Sequence, residues 1–172
     1  MSVLKLVKEK GPYVIVHNRN KCSGCTVCMI VCSFHHFGVL SYDKSRNQVV
    51  EDPDNPGVFE SIRCSHCEEP VCAAACPVDA ITKDEETGWV FIDNLKCIGC
   101  RSCNYACPLS NPRFDFETKV SWKCDLCYDK ETGTIDPKCV KYCTTGALQL
   151  VTREEARRML KELYGVEVIG GK

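Results

Sequence analysis

Cysteine spacing dominates the chemistry that this 172-residue chain could perform. One run is spaced as C-x2-C-x2-C-x3-C-P and consists of Cys97, Cys100, Cys103, Cys107 and Pro108. Such a run holds a [4Fe-4S] cluster with its first three thiolates, while the fourth thiolate reaches a second cluster. The spacing therefore requires a partner run, which is supplied by Cys64, Cys67, Cys72 and Cys76, followed by Pro77.

Two further cysteine motifs flank this central pair. The first motif repeats the same spacing, with Ser33 in place of the proline, and consists of Cys22, Cys25, Cys28 and Cys32. The fourth motif is interrupted by a gap at 128–138 and consists of Cys124, Cys127, Cys139 and Cys143. The matching sequences CPVDAI and CTTGAL, in the second and fourth motifs, indicate an internal repeat. The repeat suggests that the first and fourth motifs together enclose the central pair.

The four motifs predict an α+β fold of two nested units, each like a bacterial ferredoxin and related to the other by pseudo-symmetry. Small sheets and short helices would surround four clusters. In the expected boundaries, 1–59 holds the N-terminal strands, the first motif and a hairpin insertion, and 60–118 is the central two-cluster unit. The fourth motif, 119–150, completes the outer two-cluster unit together with 13–40, and 151–172 is a C-terminal helix and tail.

Local patterns predict the elements that carry the cysteines. VLKLV (3–7) and YVIV (13–16) are expected as strands on either side of a Gly-Pro breaker. The apolar residues Val27, Ile30 and Val31 favour a helix after Cys25. One hairpin is expected between QVVED and GVFESI, and another within AITKDEETGWVFID. In the gap of the fourth motif, turn-forming residues predict a loop.

A C-terminal helix is expected from Thr152 to Tyr164. Thr152 is its N-cap, and Glu155, three residues on, completes a capping box. Its apolar face would pack on the body of the protein or on a partner, and consists of Ala156, Met159, Leu160 and Leu163.

Composition excludes several classes of protein. A net charge of -1 argues against nucleic-acid binding, which normally needs a basic excess. No signal peptide and no apolar run long enough to span a bilayer are visible, so no direct membrane insertion is expected. The sixteen cysteines therefore favour a cytoplasmic metal protein over a secreted disulfide scaffold. Export together with a signal-bearing partner stays open.

Some side chains allow a second interpretation. His35 and His36 are interpreted as a polar helix end or loop rather than as metal ligands, since the cysteines already supply enough thiolates. His66 lies in CSHC, as half of a Rieske ligand set would, but no second histidine-containing box matches it. Trp89 and Phe91 are expected to pack against a cluster rather than to conduct electrons.

The order of the four motifs resembles the four-cluster iron–sulfur subunits of molybdenum and tungsten oxidoreductases, over about residues 13–150. These subunits are the electron-transfer partners in dimethyl sulfoxide reductase, formate dehydrogenase, hydrogenase-type and aldehyde oxidoreductase complexes. The stretch CSFHHFGVLSYDKSR is most similar to the aldehyde oxidoreductase group.

The resemblance implies four ligand sets, which together use all sixteen cysteines. The first set is Cys22, Cys25, Cys28 and Cys143, and the second set is Cys32, Cys124, Cys127 and Cys139. The third set is Cys64, Cys67, Cys72 and Cys107, and the fourth set is Cys76, Cys97, Cys100 and Cys103.

The expected function is electron transfer through four [4Fe-4S] clusters. A dinucleotide fingerprint, a P-loop and a Ser/His/Asp arrangement are all missing from the sequence, so the chain is not expected to be an enzyme by itself. The expected partner is a large catalytic subunit with a tungsten or molybdenum pterin, joined by a further redox subunit or a ferredoxin. A free-standing polyferredoxin and a structural zinc module are the alternatives.

Overall fold

The computed structural model describes residues 8–9 and 11–165. The strands in this part are β1 (Lys8–Glu9), β2 (Tyr13–His17), β3 (Gln48–Glu51), β4 (Phe59–Ile62), β5 (Ile81–Lys83), β6 (Val90–Ile92), β7 (Arg113–Phe114), β8 (Ser121–Trp122), β9 (Tyr128–Asp129), β10 (Thr134–Ile135) and β11 (Leu148–Thr152). The α-helices are α1 (Val27–Phe37), α2 (Val71–Ala74), α3 (Ser102–Ala106), α4 (Lys138–Lys141) and α5 (Arg153–Tyr164). The fold is therefore a mixed α+β arrangement of small sheets and short helices.

Every strand pair in the described residues is antiparallel, and the sheets are small. The pairs β3–β4, β5–β6 and β7–β8 are local hairpins, whereas β1, β10 and β9 form a three-stranded sheet. The pair β2–β11 joins distant parts of the chain, with Tyr13 opposite Thr152 and His17 opposite Leu148. Helix α1 packs on α4, and α2 packs on α3.

Several sequence predictions are confirmed by these elements. The hairpins β3–β4 and β5–β6 form where turn residues separate two β-prone runs. Strand β2 matches YVIV, and α1 begins directly after Thr26. The proposed strand VLKLV lies outside the described residues. The gap in the fourth motif differs from the loop that was expected, because its turn joins β9 to β10 as a hairpin.

Helix α1 shows why Ser33 replaces the proline that follows the second and third motifs. α1 continues past Cys32 to Phe37, whereas α3 ends at Ala106, before Cys107. A proline inside α1 would remove a backbone hydrogen bond and clash with the preceding turn. The Ser33 hydroxyl instead donates to the Ile30 carbonyl at 2.9 Å and accepts the Ser41 N–H at 3.1 Å.

Helix α5 has the capping box that its sequence predicts. The Thr152 hydroxyl accepts the Glu155 N–H, and the Glu155 carboxylate accepts the Thr152 N–H at 3.0 Å. Ala156 is buried, and the rest of the apolar face is half-buried. The helix packs on β2 and β11, so this face covers the body of the protein.

The apolar core is divided into small clusters. One contains Trp89, Leu126 and Ile135, each at most 1% exposed, and the Trp89 indole N–H donates to the Tyr13 carbonyl at 2.9 Å. Another lies between α1 and β11 and a third around β5 and β6, and cysteines take part in both. Within the described ranges, every helix is too short or too polar to cross a membrane.

Candidate metal centres

In each of the four motifs, the first C-x2-C loop has a left-handed residue directly before its second cysteine. These residues are Gly24 (φ 68°), His66 (φ 48°), Gly99 (φ 72°) and Leu126 (φ 61°). Such a conformation turns successive backbone N–H groups toward one side, which makes a concave site for an anion. Two loops use glycine for this purpose and two hold a larger side chain in the same conformation. The four loops therefore share this conformation at one position although their sequences differ.

Backbone N–H groups also reach the sulfur atoms of the last cysteine in three motifs. The Ala80 N–H donates to Cys76 Sγ at 3.3 Å, and the Asn111 N–H donates to Cys107 Sγ at 3.4 Å. Cys32 Sγ accepts the Arg46 N–H at 3.4 Å. These donors favour a negative charge on sulfur.

Three small cavities are each lined by four cysteines. The first is lined by Cys22, Cys25, Cys28 and Cys143. The second is lined by Cys32, Cys124, Cys127 and Cys139. The third is lined by Cys76, Cys97, Cys100 and Cys103. Each cavity thus draws its cysteines from two different motifs.

The remaining four cysteines influence one another electrostatically. Burial raises the pKa of Cys72 to about 11, and negative charge on Cys64, Cys107 and Cys67 adds to the rise. Burial also raises the pKa of Cys67, again with contributions from Cys64 and Cys107. Two central motifs therefore meet at this group, which lies beside an open groove that Cys67 lines.

Burial gives several of these thiols a strong preference for the protonated form. It raises the pKa of Cys28 to about 11 and that of Cys124 to about 12, and it also raises the pKa values of Cys127 and Cys139. A coordinating metal removes the proton of such a thiol outright. The sixteen cysteines are all free thiols, so groups of four are available as a donor set for iron.

Buried donors without acceptors provide a further test of what these sites hold. His66 is 1% exposed, and its Nδ1 accepts the Val90 N–H at 3.0 Å, which places the imidazole proton on Nε2. Within the described ranges, His66 Nε2 has no acceptor, and neither do Arg63 Nε and Nη1. A buried donor without an acceptor is costly, so an anionic group beside these residues fits the site. Sequence patterns missed these donors, since nothing in CSHC or its flanks shows that they are buried.

His35 and His36 lie at the C-terminal end of α1, as expected, but His36 turns inward. Its Nε2 lies 3.5 Å from Asp125 Oδ1 and 3.8 Å from Cys127 Sγ. His35, His36 and Cys127 are close enough to share a metal ion. Because Cys127 also lines a four-cysteine cavity, the histidines are better placed as its neighbours than as a separate centre.

Comparison with known proteins assigns the family. Residues 57–153 match the model of the 4Fe-4S dicluster domain. The protein is 34% identical over 161 residues to one subunit of the anaerobic dimethyl sulfoxide reductase of Escherichia coli (strain K12), covering 86% of this sequence and 77% of that protein. It is 38% identical over 136 residues to the polyferredoxin-like subunit of the aliphatic sulfonate oxidoreductase of Pyrococcus furiosus, covering 77% of this sequence and 74% of that protein.

A solved structure is also similar over almost the whole length. It belongs to the BamBC active site complex of benzoyl coenzyme A reductase with 1,5-dienoyl-CoA, at a TM-score of 0.47 and 23% identity, covering 95% of each of the two sequences. Together, the domain match and the sequence relatives show that the protein belongs to the 4Fe-4S dicluster family, as an iron–sulfur electron-transfer subunit of the oxidoreductase type.

Proposed function

We propose that the protein binds four [4Fe-4S] clusters in the four ligand sets implied by its motifs. The observation that carries the proposal is that three small cavities are each lined by one complete set. The mutual influence of Cys64, Cys67, Cys72 and Cys107 supports the remaining set. The packing of α1 on α4 and of α2 on α3 supports two nested two-cluster units, with the outer one closed by β2 and β11.

Bound clusters would supply one-electron transfer, at potentials that the surrounding protein adjusts. The protein itself holds them through thiolates and orients the C-x2-C loops through their left-handed residues. The N–H groups of Ala80, Asn111 and Arg46 hold negative charge on sulfur. Trp89, Leu126 and Ile135 exclude water from the centre of the molecule. Such a subunit relays electrons and performs no substrate chemistry of its own.

The proposed partner is a large catalytic subunit with a tungsten or molybdenum pterin, of the aldehyde oxidoreductase type. Relatives named as part of a reductase and as a polyferredoxin-like subunit support a multi-subunit assembly. Exposed apolar side chains near the third motif also favour an interface, namely Leu95 at 99%, Ile98 at 63% and Tyr105 at 83% exposure. A further redox subunit or a ferredoxin would complete the path. The reducing cytoplasm suits these thiol ligands.

Metal analysis of the anaerobically purified protein tests the number of clusters. We expect about sixteen iron and sixteen sulfide per molecule, following from four [4Fe-4S] clusters. Replacement of Cys143 by alanine should remove about a quarter of the iron, and so should replacement of Cys76. The control variant Ser65→Ala, at an exposed position next to Cys64, should retain all of the iron. Zinc without sulfide would refute the proposal in favour of a structural zinc module.

Anaerobic isolation of the native protein tests the partner. We expect a large subunit with a pterin-bound metal to co-purify, and mass spectrometry would identify it. A protein that purifies alone with its clusters complete would instead favour a free-standing polyferredoxin.

A further inference from the structure

Three cationic side chains are buried in the part of the sequence that the structure describes. Arg46 is 7% exposed, Arg63 is 5% exposed and Lys123 is 4% exposed. Arg46 has a carboxylate partner, because its Nη1 pairs with Asp125. Within the same ranges, neither Arg63 nor Lys123 has such a partner. A buried charge without a counter-charge is strongly disfavoured, so something else must balance these two.

Arg63 lies between the first and second sets of cysteines. It lines the cavity that holds Cys32 and Cys139, and only its Nη2 has a described acceptor, the Ser61 hydroxyl. Burial is the largest influence on the pKa of Cys28 and of Cys139 and raises both, while the positive charge of Arg63 opposes the rise in each. Its free N–H groups are therefore available to an anion in the cavity of the second set, and its positive charge also acts on Cys28 of the first set.

Lys123 lies between the second and third sets. Its Nζ donates to the carbonyl of Cys124, a member of the second set, at 2.9 Å. In the third set, burial and Cys64 raise the pKa of Cys72, and the charge of Lys123 opposes them. The same lysine opposes the burial-driven rise in the pKa of Cys67. The ammonium group is thus held at the backbone of the second set, and its positive charge acts on two thiols of the third set. Within the described ranges it pairs with no carboxylate.

We propose that Arg63 and Lys123 are the counter-charges of the clusters on either side of them and raise the reduction potentials of those clusters. This inference rests on the proposed four-cluster function. A [4Fe-4S] cluster with four thiolates is an anion, and it gains one more negative charge when it accepts an electron from its neighbour, which is oxidised in the same step. A fixed, desolvated cation nearby stabilises that added charge. No proton need be taken up.

The two cations act on overlapping pairs of clusters. Arg63 lines the cavity of the second set and its charge acts on a thiol of the first, whereas Lys123 binds the backbone of the second set and its charge acts on thiols of the third. The second set therefore receives positive charge from both side chains. The Asp125 carboxylate beside this set contributes a negative charge, which forms an ion pair with Arg46. Arginine and lysine would in this way favour an electron on the clusters of the first, second and third sets.

Redox titration of the holoprotein, followed by electron paramagnetic resonance, tests this assignment. In Arg63→Gln, we expect the equilibrium constant for reduction of the first-set and second-set clusters to fall at least about tenfold. For a one-electron step, this lowers the reduction potential by about 59 mV. In Lys123→Gln, the second and third clusters should shift in the same direction. Arg63→Lys keeps the charge and should restore most of the potential. Lys130→Gln removes one charge from an exposed position and should change nothing.

The outcomes separate this inference from the proposed function. Unchanged potentials in both glutamine variants, with the iron content complete, would overturn the inference and leave the four-cluster function intact. A wild-type iron content well below sixteen would instead overturn the function itself. If Arg63→Gln took up no iron while Arg63→Lys took it up fully, the need for a counter-charge would be supported. Equal failure of both variants would show that the arginine has a purely structural role.

Discussion

At the scale of single residues, a left-handed residue recurs in the first C-x2-C loop of all four motifs. Gly24 and Gly99 adopt it without a side chain, whereas His66 and Leu126 must be held in it. The Arg153 guanidinium donates to the His66 carbonyl at 2.9 Å, and the Val90 N–H fixes the His66 ring. Leu126 is 1% exposed and is held by packing in the cluster around Trp89. Tertiary contacts thus replace glycine in half of the loops.

Gly99 provides a direct test of this geometry. Its φ is +72°, and a Cβ atom there would overlap the backbone carbonyl oxygen of Lys119. Gly133 has a similar φ of +67° but nothing within 4 Å of its Cβ position, so it is a matched control.

We expect Gly133→Ala to lower the free energy of unfolding by about 1–2 kcal/mol, the cost of a left-handed alanine. Gly99→Ala should cost about 3 kcal/mol or more, because a clash with backbone is added. Anaerobic urea unfolding with an iron assay on each variant would measure this. Equal losses of unfolding free energy in the two variants would show that the left-handed conformation alone, and not the close approach of the Lys119 carbonyl oxygen, requires glycine at position 99.

At the scale of elements, helix α5 is the clearest case of a local sequence signal. The capping box of Thr152 and Glu155 fixes its first turn, and the buried Ala156 fixes the face that packs on β2 and β11. Local signals and tertiary contacts agree here, which makes the helix start well defined.

Thr152→Ala should destabilise the protein by about 1 kcal/mol, because an orphan N–H of the first turn loses its acceptor. Glu162→Ala, at an exposed position of the same helix, should stay within about 0.5 kcal/mol of the wild type. Denaturant unfolding followed by circular dichroism compares the two. A loss at Glu162 as large as that at Thr152 would contradict a specific role for the cap.

The elements that sequence could predict are those with a local physical cause. Turn residues predicted β3–β4 and β5–β6, and apolar spacing predicted α1 and α5. Two-residue strands such as β9 and β10 are too short to show a period of two, so their hairpin was expected only as a loop. Strand β10 also pairs with β1, which is remote in the sequence.

The candidate site likewise has features that the sequence could predict and features that only the fold reveals. Cysteine spacing predicted the donor atoms, because the geometry of a cluster restricts how its ligands follow one another. The burial of Arg63, Lys123 and His66 could not be predicted, since charged and polar side chains are normally exposed and only the assembled fold encloses them. The assignment of cysteines to individual clusters stays a prediction.

At the scale of the whole molecule, the apolar core is small. Four of the fifteen buried apolar residues in the described ranges are cysteines, and all but one of the sheets there have two strands. Isolated two-stranded sheets and helices of four or five residues are marginal in water. The inorganic centres are therefore expected to supply much of the stability.

Removal of iron by a chelator under anaerobic conditions should unfold the protein. We expect the apo-protein to lose its cooperative thermal transition in circular dichroism, and reconstitution with iron and sulfide to restore it. The untreated holoprotein, carried through the same buffer exchange, is the control. A cooperative transition that persists without iron would mean that packing alone is sufficient.

The contacts of Arg153 and the pairing of β2 with β11 also bear on how the protein is made. Arg153 binds the carbonyls of His66 and Gly88, and β11 directly precedes it, so both contacts come from residues 148–153. On a ribosome these residues emerge after all sixteen cysteines, while the central loops have long been exposed. Strand β2 therefore lacks its β11 partner until residues 148–152 have been translated. The machinery that delivers iron and sulfide would meet an open nascent polypeptide, which closes only once residues 148–153 have left the exit tunnel.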